Sequence, residues 1–118
     1  MYESGENYLE TILVLSKRKG NVRSIDIARE LGFSKPSVSR AVGILKDEKY
    51  IVVDDMGFIT LTEHGCILAN KIYERHQTLT AFLIKVAGVS SEIAEEDACK
   101  IEHIISEETF LGIKKFMK

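Results

Sequence analysis

The stretch SIDIARELGFSKPSVSRAVGILKD constrains the fold more than any other part of this 118-residue chain. Ser24 is expected to cap a helix of about two turns, with Ile25, Ile27, Ala28 and Leu31 as its apolar positions and Gly32 as its stop. Ser34 then caps a second helix. Pro36, the chain's one proline, falls in its first turn, where a missing N–H costs little. Val38, Ala41, Val42 and Leu45 repeat at helical spacing as its buried face. Only GFS separates the two helices, and so tight a connection predicts a helix-turn-helix unit.

The flanks fit that unit. Upstream, GENYLETILVLSKRKGN has apolar residues at 8, 9, 12, 13 and 15 and a stop at Gly20-Asn21, which predicts a first helix. Downstream, Ile51 to Val53 are β-branched, Asp54-Asp55-Met56-Gly57 is a turn cluster and Phe58 to Leu61 resume a strand, so a β-hairpin is expected. Thr62 should cap a long helix running to Ala87, broken at Gly88. Ser91 should cap EIAEEDACKIEHIIS, and EETFLGIKKFMK should form a last short helix. The expected fold is mostly α: a winged helix-turn-helix with one β-hairpin wing over residues 1–62, then a helical region over 63–118.

The net charge of −2 hides an uneven distribution. Lys17 to Lys46 holds eight Lys or Arg against two acids, a local +6, whereas Glu92 to Glu108 holds seven acids against one Lys, a local −6. An anionic partner at the front and a cation at the back would explain both, as would two solvated faces of opposite sign. In the first case Ser34, Lys35, Pro36, Ser37, Ser39 and Arg40 would meet double-stranded DNA at the exposed start of the recognition helix. Arg40 would read guanine and Pro36 would touch a thymine methyl. Lys17, Arg18, Lys19, Arg23 and Lys46 would meet phosphate. The competing use of the same face is protein contact. With no long apolar run and no signal-peptide pattern in MYESGENYLE, a cytoplasmic protein with no membrane partner and two free thiols is expected.

One short stretch bears on the cation. In CKIEH, residues Cys99, Glu102 and His103 occupy positions i, i+3 and i+4, one face of a helix. Deprotonated, all three are metal ligands. Equally, Cys99 could be a small core residue, Glu102 solvated and His103 a cap on an exposed face. The spacing admits both readings. No H-E-x-x-H, nucleophile elbow or glycine-rich phosphate loop is present, so neither an enzyme nor a small-molecule substrate is expected.

Taken together, ENYLETI, IDIARELGFSKPSVSRAVGILKDEKYI, FITLTEHGCILANKIYERH and EEDACKIEHIISEET resemble the diphtheria toxin repressor family of iron- and manganese-dependent transcription regulators, which includes the manganese transport regulators. The resemblance implies a metal-dependent repressor whose residues 63–118 form a dimerisation and metal-binding domain. It implies a homodimer on a palindromic operator, and a cation that bridges the two domains and selects the operator-binding conformation. Carried over residue by residue, it places the metal ligands at Asn7, Glu10, His76, Cys99, Glu102 and His103. Manganese or iron(II) is the implied metal, with zinc or cobalt also compatible with the Cys99 thiolate. Asn7 departs from the family's usual choices, so a regulator with a lost or altered metal response is the alternative. Thr80 and Glu95 stand where iron-type members build an ancillary site, which is expected to be weak or absent. His64 is expected to be solvated, Cys66 to be a core residue, and Glu102 to be dispensable for folding. Phe82, Leu83, Val86, Ile104, Phe110 and Phe116 are expected to leave apolar surface for a dimer to cover.

Overall fold

A computed structural model describes residues 3–118, with side chains from residue 5 onward. The chain forms two compact units, 1–70 and 71–118. In the first, α1 (Glu3–Lys19), α2 (Ser24–Leu31) and α3 (Lys35–Asp47) precede an antiparallel hairpin of β1 (Ile51–Val53) and β2 (Ile59–Leu61). α4 (Glu63–Phe82) starts in this unit and ends in the second. There a π-helical turn, Leu83–Ala87, leads to α5 (Ser91–Ile101) and α6 (Glu107–Phe116). This is the expected mostly helical winged helix-turn-helix with a helical region after it.

The apolar periodicity of α1 becomes the core of the first unit: Tyr8, Leu9, Ile12, Leu13 and Leu15 are buried with Ile27, Val38, Val42 and Leu45. Each such side chain removed from water contributes about 1.5–3 kcal/mol. Between α2 and α3, Gly32 turns the chain at φ 69°, in the left-handed region where a side chain is strained, and its N–H satisfies the Ala28 carbonyl at 2.9 Å. Ser34 caps α3 as expected, accepting from the Ser37 N–H at 3.3 Å. The N-cap of α2 is Arg23 rather than Ser24. Asp26 reaches back to accept the Arg23 N–H at 2.8 Å, which fixes the helix start one residue earlier.

The wing pairs Ile51 with Leu61, Val52 with Thr60 and Val53 with Ile59. Asp54 closes the turn by accepting the N–H groups of Met56 and Phe58, both at 2.9 Å. The Ile59 N–H donates to the Val22 carbonyl at 2.7 Å, tying the hairpin to the start of α2. Thr62 caps α4 through the Gly65 N–H at 3.0 Å and donates its own hydroxyl to the Lys49 carbonyl at 2.7 Å. Gly65 packs so close to the Tyr50 backbone that any Cβ would overlap the Tyr50 carbonyl. His64 is exposed and stacks on Tyr50 with ring centroids 4.3 Å apart. Cys66 is exposed, not a core residue: it follows the buried Gly65 around the helix to the outer face.

In the second unit Leu79, Ala98 and Phe110 form a core, with Leu83, Ile101, Ile105 and Ile113 packed against it. Phe110 is therefore buried rather than part of an exposed face, while Val86, Ile104 and Phe116 are exposed as expected. α5 is capped by Ser90, one residue before the expected Ser91, through the Ile93 N–H at 3.2 Å. It also ends earlier than the sequence pattern suggests, at Ile101, and residues 102–105 form a hydrogen-bonded turn before Ser106 caps α6. No helix of the described residues is long and apolar enough to cross a membrane.

Candidate metal centre

The turn after α5 keeps the register of the helix for one more residue. The Glu102 N–H still donates to the Ala98 carbonyl at 2.9 Å. Cys99, Glu102 and His103 therefore stay on one side although the helix has ended, and their ligand atoms lie within 4.8 Å of one another. His76 comes to them from α4. Its Nδ1 is 2.9 Å from Glu102 Oε2, while His103 Nε2 is 3.3 Å from Glu102 Oε1.

The solvated reading of Glu102 does not survive this arrangement, because its side chain is fully buried. A buried carboxylate is costly unless its charge is matched. His76 supplies one partner. The hydrogen bond to Glu102 holds the His76 imidazole pKa above its usual value against the effect of burial, and the charges of Glu102 and Glu95 add to it. Among the described residues Oε1 accepts no hydrogen bond, since the 3.3 Å approach to His103 lacks the geometry for one. A buried oxygen without a hydrogen bond, beside an imidazole and a half-buried thiol, is a donor set that suits a divalent transition cation.

Asn7 and Glu10 stand one turn apart on α1, and Glu10 is buried. The Thr80 hydroxyl is buried with no hydrogen bond among the described residues, and Glu95 is exposed. In the first unit Ser34, Lys35, Pro36, Ser37, Ser39, Arg40 and Lys46 are all exposed on α3 or its cap. The Arg23 guanidinium lies 4.4 Å from the centroid of the Phe58 ring on the wing. An open cleft of about 320 Å³ between α2 and α3 is lined by Ser24, Ile25, Lys35 and Ser39. Arg18 and Lys19 are engaged with Glu30 at 3.1 Å and Asp26 at 2.6 Å, so a phosphate would have to compete for them. Sequence reasoning missed Arg75, which contacts the turn bearing Glu102. Its only signal was a charged residue next to His76 on a helix with an apolar face.

Residues 1–57 match the N-terminal DNA-binding domain of iron-dependent repressors, and residues 62–118 match the metal-binding and dimerisation domain of the same repressors. The chain belongs to the iron-dependent repressor family. Members of this family are transcriptional regulators, and this chain carries both a DNA-binding domain and a metal-binding and dimerisation domain. The transcriptional regulator MntR of Escherichia coli is 38% identical over 111 residues, covering 94% of this chain and 71% of MntR. An uncharacterised HTH-type transcriptional regulator of Methanocaldococcus jannaschii is 33% identical over 119 residues, covering 100% of this chain and 95% of that protein. Among solved structures, the manganese regulator SloR superposes with a TM-score of 0.85 at 30% identity, and T. acidophilum IdeR with 0.80 at 29%. Each match covers 96% of this chain, which spans 53% of the SloR chain and 54% of the IdeR chain.

Proposed function

We propose that this family member is a cytoplasmic, manganese- or iron(II)-activated repressor that binds a palindromic operator as a homodimer. The observation that carries the metal response is the buried Glu102 carboxylate, with one oxygen on His76 and the other turned toward His103 beside Cys99. His76, Cys99, Glu102 and His103 would hold the cation, and we assign Asn7 and Glu10 of α1 as the remaining ligands. When bound, the cation supplies positive charge that lets anionic and neutral donors share one point.

The protein's own residues do the rest. Glu102 already holds His76 in place, and Cys99 as thiolate and His103 as neutral imidazole would be the donor forms. Ligands shared between α1 and the region 63–118, assigned here as the dimerisation and metal-binding domain, would restrict the orientations open to the DNA-reading domain 1–62 and so favour the DNA-competent one. On the reading face, Arg40 takes a guanine edge and Ser34, Lys35, Pro36, Ser37 and Ser39 line the groove contact, with Arg23 and Lys46 on phosphate. Exposed Val86, Ile93, Ile104 and Phe116 supply apolar surface for the second copy. The test is selection of duplexes from a random library with Mn²⁺ and with a chelator. An inverted-repeat site recovered only with Mn²⁺ is expected. Equal recovery of the same site with chelator would remove the metal response from this reading.

A further inference from the structure

The turn at residues 102–105 carries two candidate ligands, yet neither glycine nor proline fixes it. Its backbone closes on Ile101, whose carbonyl accepts from the N–H groups of Ile104 and Ile105 at 3.0 and 2.9 Å, and Arg75 of α4 holds two of its own carbonyls. Arg75 Nη1 donates to the Glu102 carbonyl at 3.2 Å and to the Ile105 carbonyl at 3.1 Å. Nη2 donates to the Glu107 carboxylate at 2.7 Å, which Lys71 also approaches at 3.2 Å. The guanidinium carbon lies 5.2 Å from the Phe110 ring centroid, and the Arg75 side chain is only 13% exposed.

The chemistry of these contacts is specific. Beyond a helix end the chain has carbonyls with no intrahelical N–H partner, and in the turn after α5 those of Glu102 and Ile105 accept from Arg75. A planar guanidinium fork fixes direction as well as charge, which an ammonium group cannot do. The next residue along α4, His76, takes the Glu102 carboxylate. Consecutive residues of one helix thus hold the same glutamate, one by its main chain and the other by its side chain.

We propose that Arg75 is a positioning residue of the metal centre, holding the 102–105 turn in the ligand-presenting shape before any cation arrives. This rests on Glu102 and His103 being ligands. Pre-organisation of this kind raises affinity because less ordering remains to be done on binding. Losing an outer partner of a metal ligand typically lowers metal affinity about 10–100-fold.

The experiment is a Co²⁺ titration of the full chain, read by the thiolate-to-cobalt absorption of Cys99, on the parent, Arg75→Lys and Glu107→Gln. Each is titrated well below its melting temperature, and amide exchange of Ile104 and Ile105 is followed without metal. Arg75→Lys keeps the charge and loses the fork. Its affinity should fall about 10–100-fold, its absorption at saturation should match the parent, and the two amides should exchange faster. Glu107→Gln should show the same changes at smaller size. Parent-like affinity in both variants overturns the proposal, as does a fall in affinity with unchanged amide exchange. If Arg75→Lys does not fold, Glu107→Gln decides by the same two readouts. A parent chain with no cobalt absorption that depends on Cys99 removes instead the ligand assignment beneath the proposal.

Discussion

Replacing Glu102 by Gln should abolish the metal response while leaving the metal-free fold nearly as stable. Alanine is the wrong probe. The side chain is fully buried, so truncation would leave a cavity and strip His76 of its partner, contrary to the expectation that Glu102 is dispensable for folding. Glutamine keeps the volume and an oxygen to accept from His76. The neutral hydrogen bond is weaker than a charge-assisted one, but the desolvation penalty of a buried carboxylate also disappears. The two effects oppose each other, and metal-free stability should change by no more than about 1 kcal/mol. Metal binding has no such offset, because an amide oxygen is neutral. The loss should exceed the ~100-fold upper range for outer partners. With Mn²⁺ at 100 times the parent's dissociation constant, the parent gains about 2.7 kcal/mol and the variant, bound 100-fold more weakly, about 0.4 kcal/mol. At roughly 4 °C per kcal/mol for a chain of this size, the melting temperature should rise about 10 °C in the parent and about 2 °C in Glu102→Gln. Thermal melts with and without Mn²⁺ measure both. A parent-like rise in the variant would refute Glu102 as a ligand.

Other perturbations follow from the same contacts. The hydrogen bond to Glu102 raises the His76 pKa, so the protonated pair stabilises the metal-free protein fully below the unfolded value of about 6.5 and is lost as pH rises through the raised folded value. The metal-free melting temperature should carry a contribution that falls as pH rises above the unfolded value and is absent in Glu102→Gln. Metal affinity should change the opposite way, weakening as pH drops below the raised value because the cation competes with the proton. Cys99→Glu should move the order of activating metals toward Mn²⁺ and away from Zn²⁺ and Co²⁺, scored by DNA retention at equal free metal; an unchanged order removes Cys99 as a selectivity determinant. Gly65→Ala should cost about 1–3 kcal/mol in urea unfolding, since the added Cβ meets the Tyr50 carbonyl, and an unchanged midpoint would show that the contact relaxes freely.

Local punctuation made the DNA-reading unit legible. Gly32, Ser34 and Pro36 act within a few residues of themselves, and the structure uses each as the sequence suggests. The misplacements are also local in origin. Ser24 looked like a cap, but Asp26 reaching back to Arg23 moves the start of α2. Ser90 and Ser91 differ by one residue, and only the Ile93 N–H distinguishes them. The early end of α5 has no glycine or proline to mark it, and the Arg75 contacts to the turn that follows come from 27 and 30 residues away in sequence. The sequence pattern places Phe110 at the surface because its neighbours Leu79 and Ala98 belong to other helices. In the metal centre, helical spacing brought Cys99, Glu102 and His103 onto one side. The burial of Glu102 and its pairing with His76 are long-range contacts that periodicity cannot register.

The most direct measurement of the central claim is a thermodynamic cycle on the selected operator duplex. DNA affinity is measured by fluorescence anisotropy with saturating Mn²⁺ and with chelator, and Mn²⁺ affinity is measured by calorimetry with and without that duplex. If the cation selects the DNA-binding conformation, the two ratios must be equal and greater than one. A typical coupling of about 1–3 kcal/mol would make them about 5–150-fold. A DNA affinity that is the same with Mn²⁺ and with chelator, in a chain that binds Mn²⁺, would contradict the account.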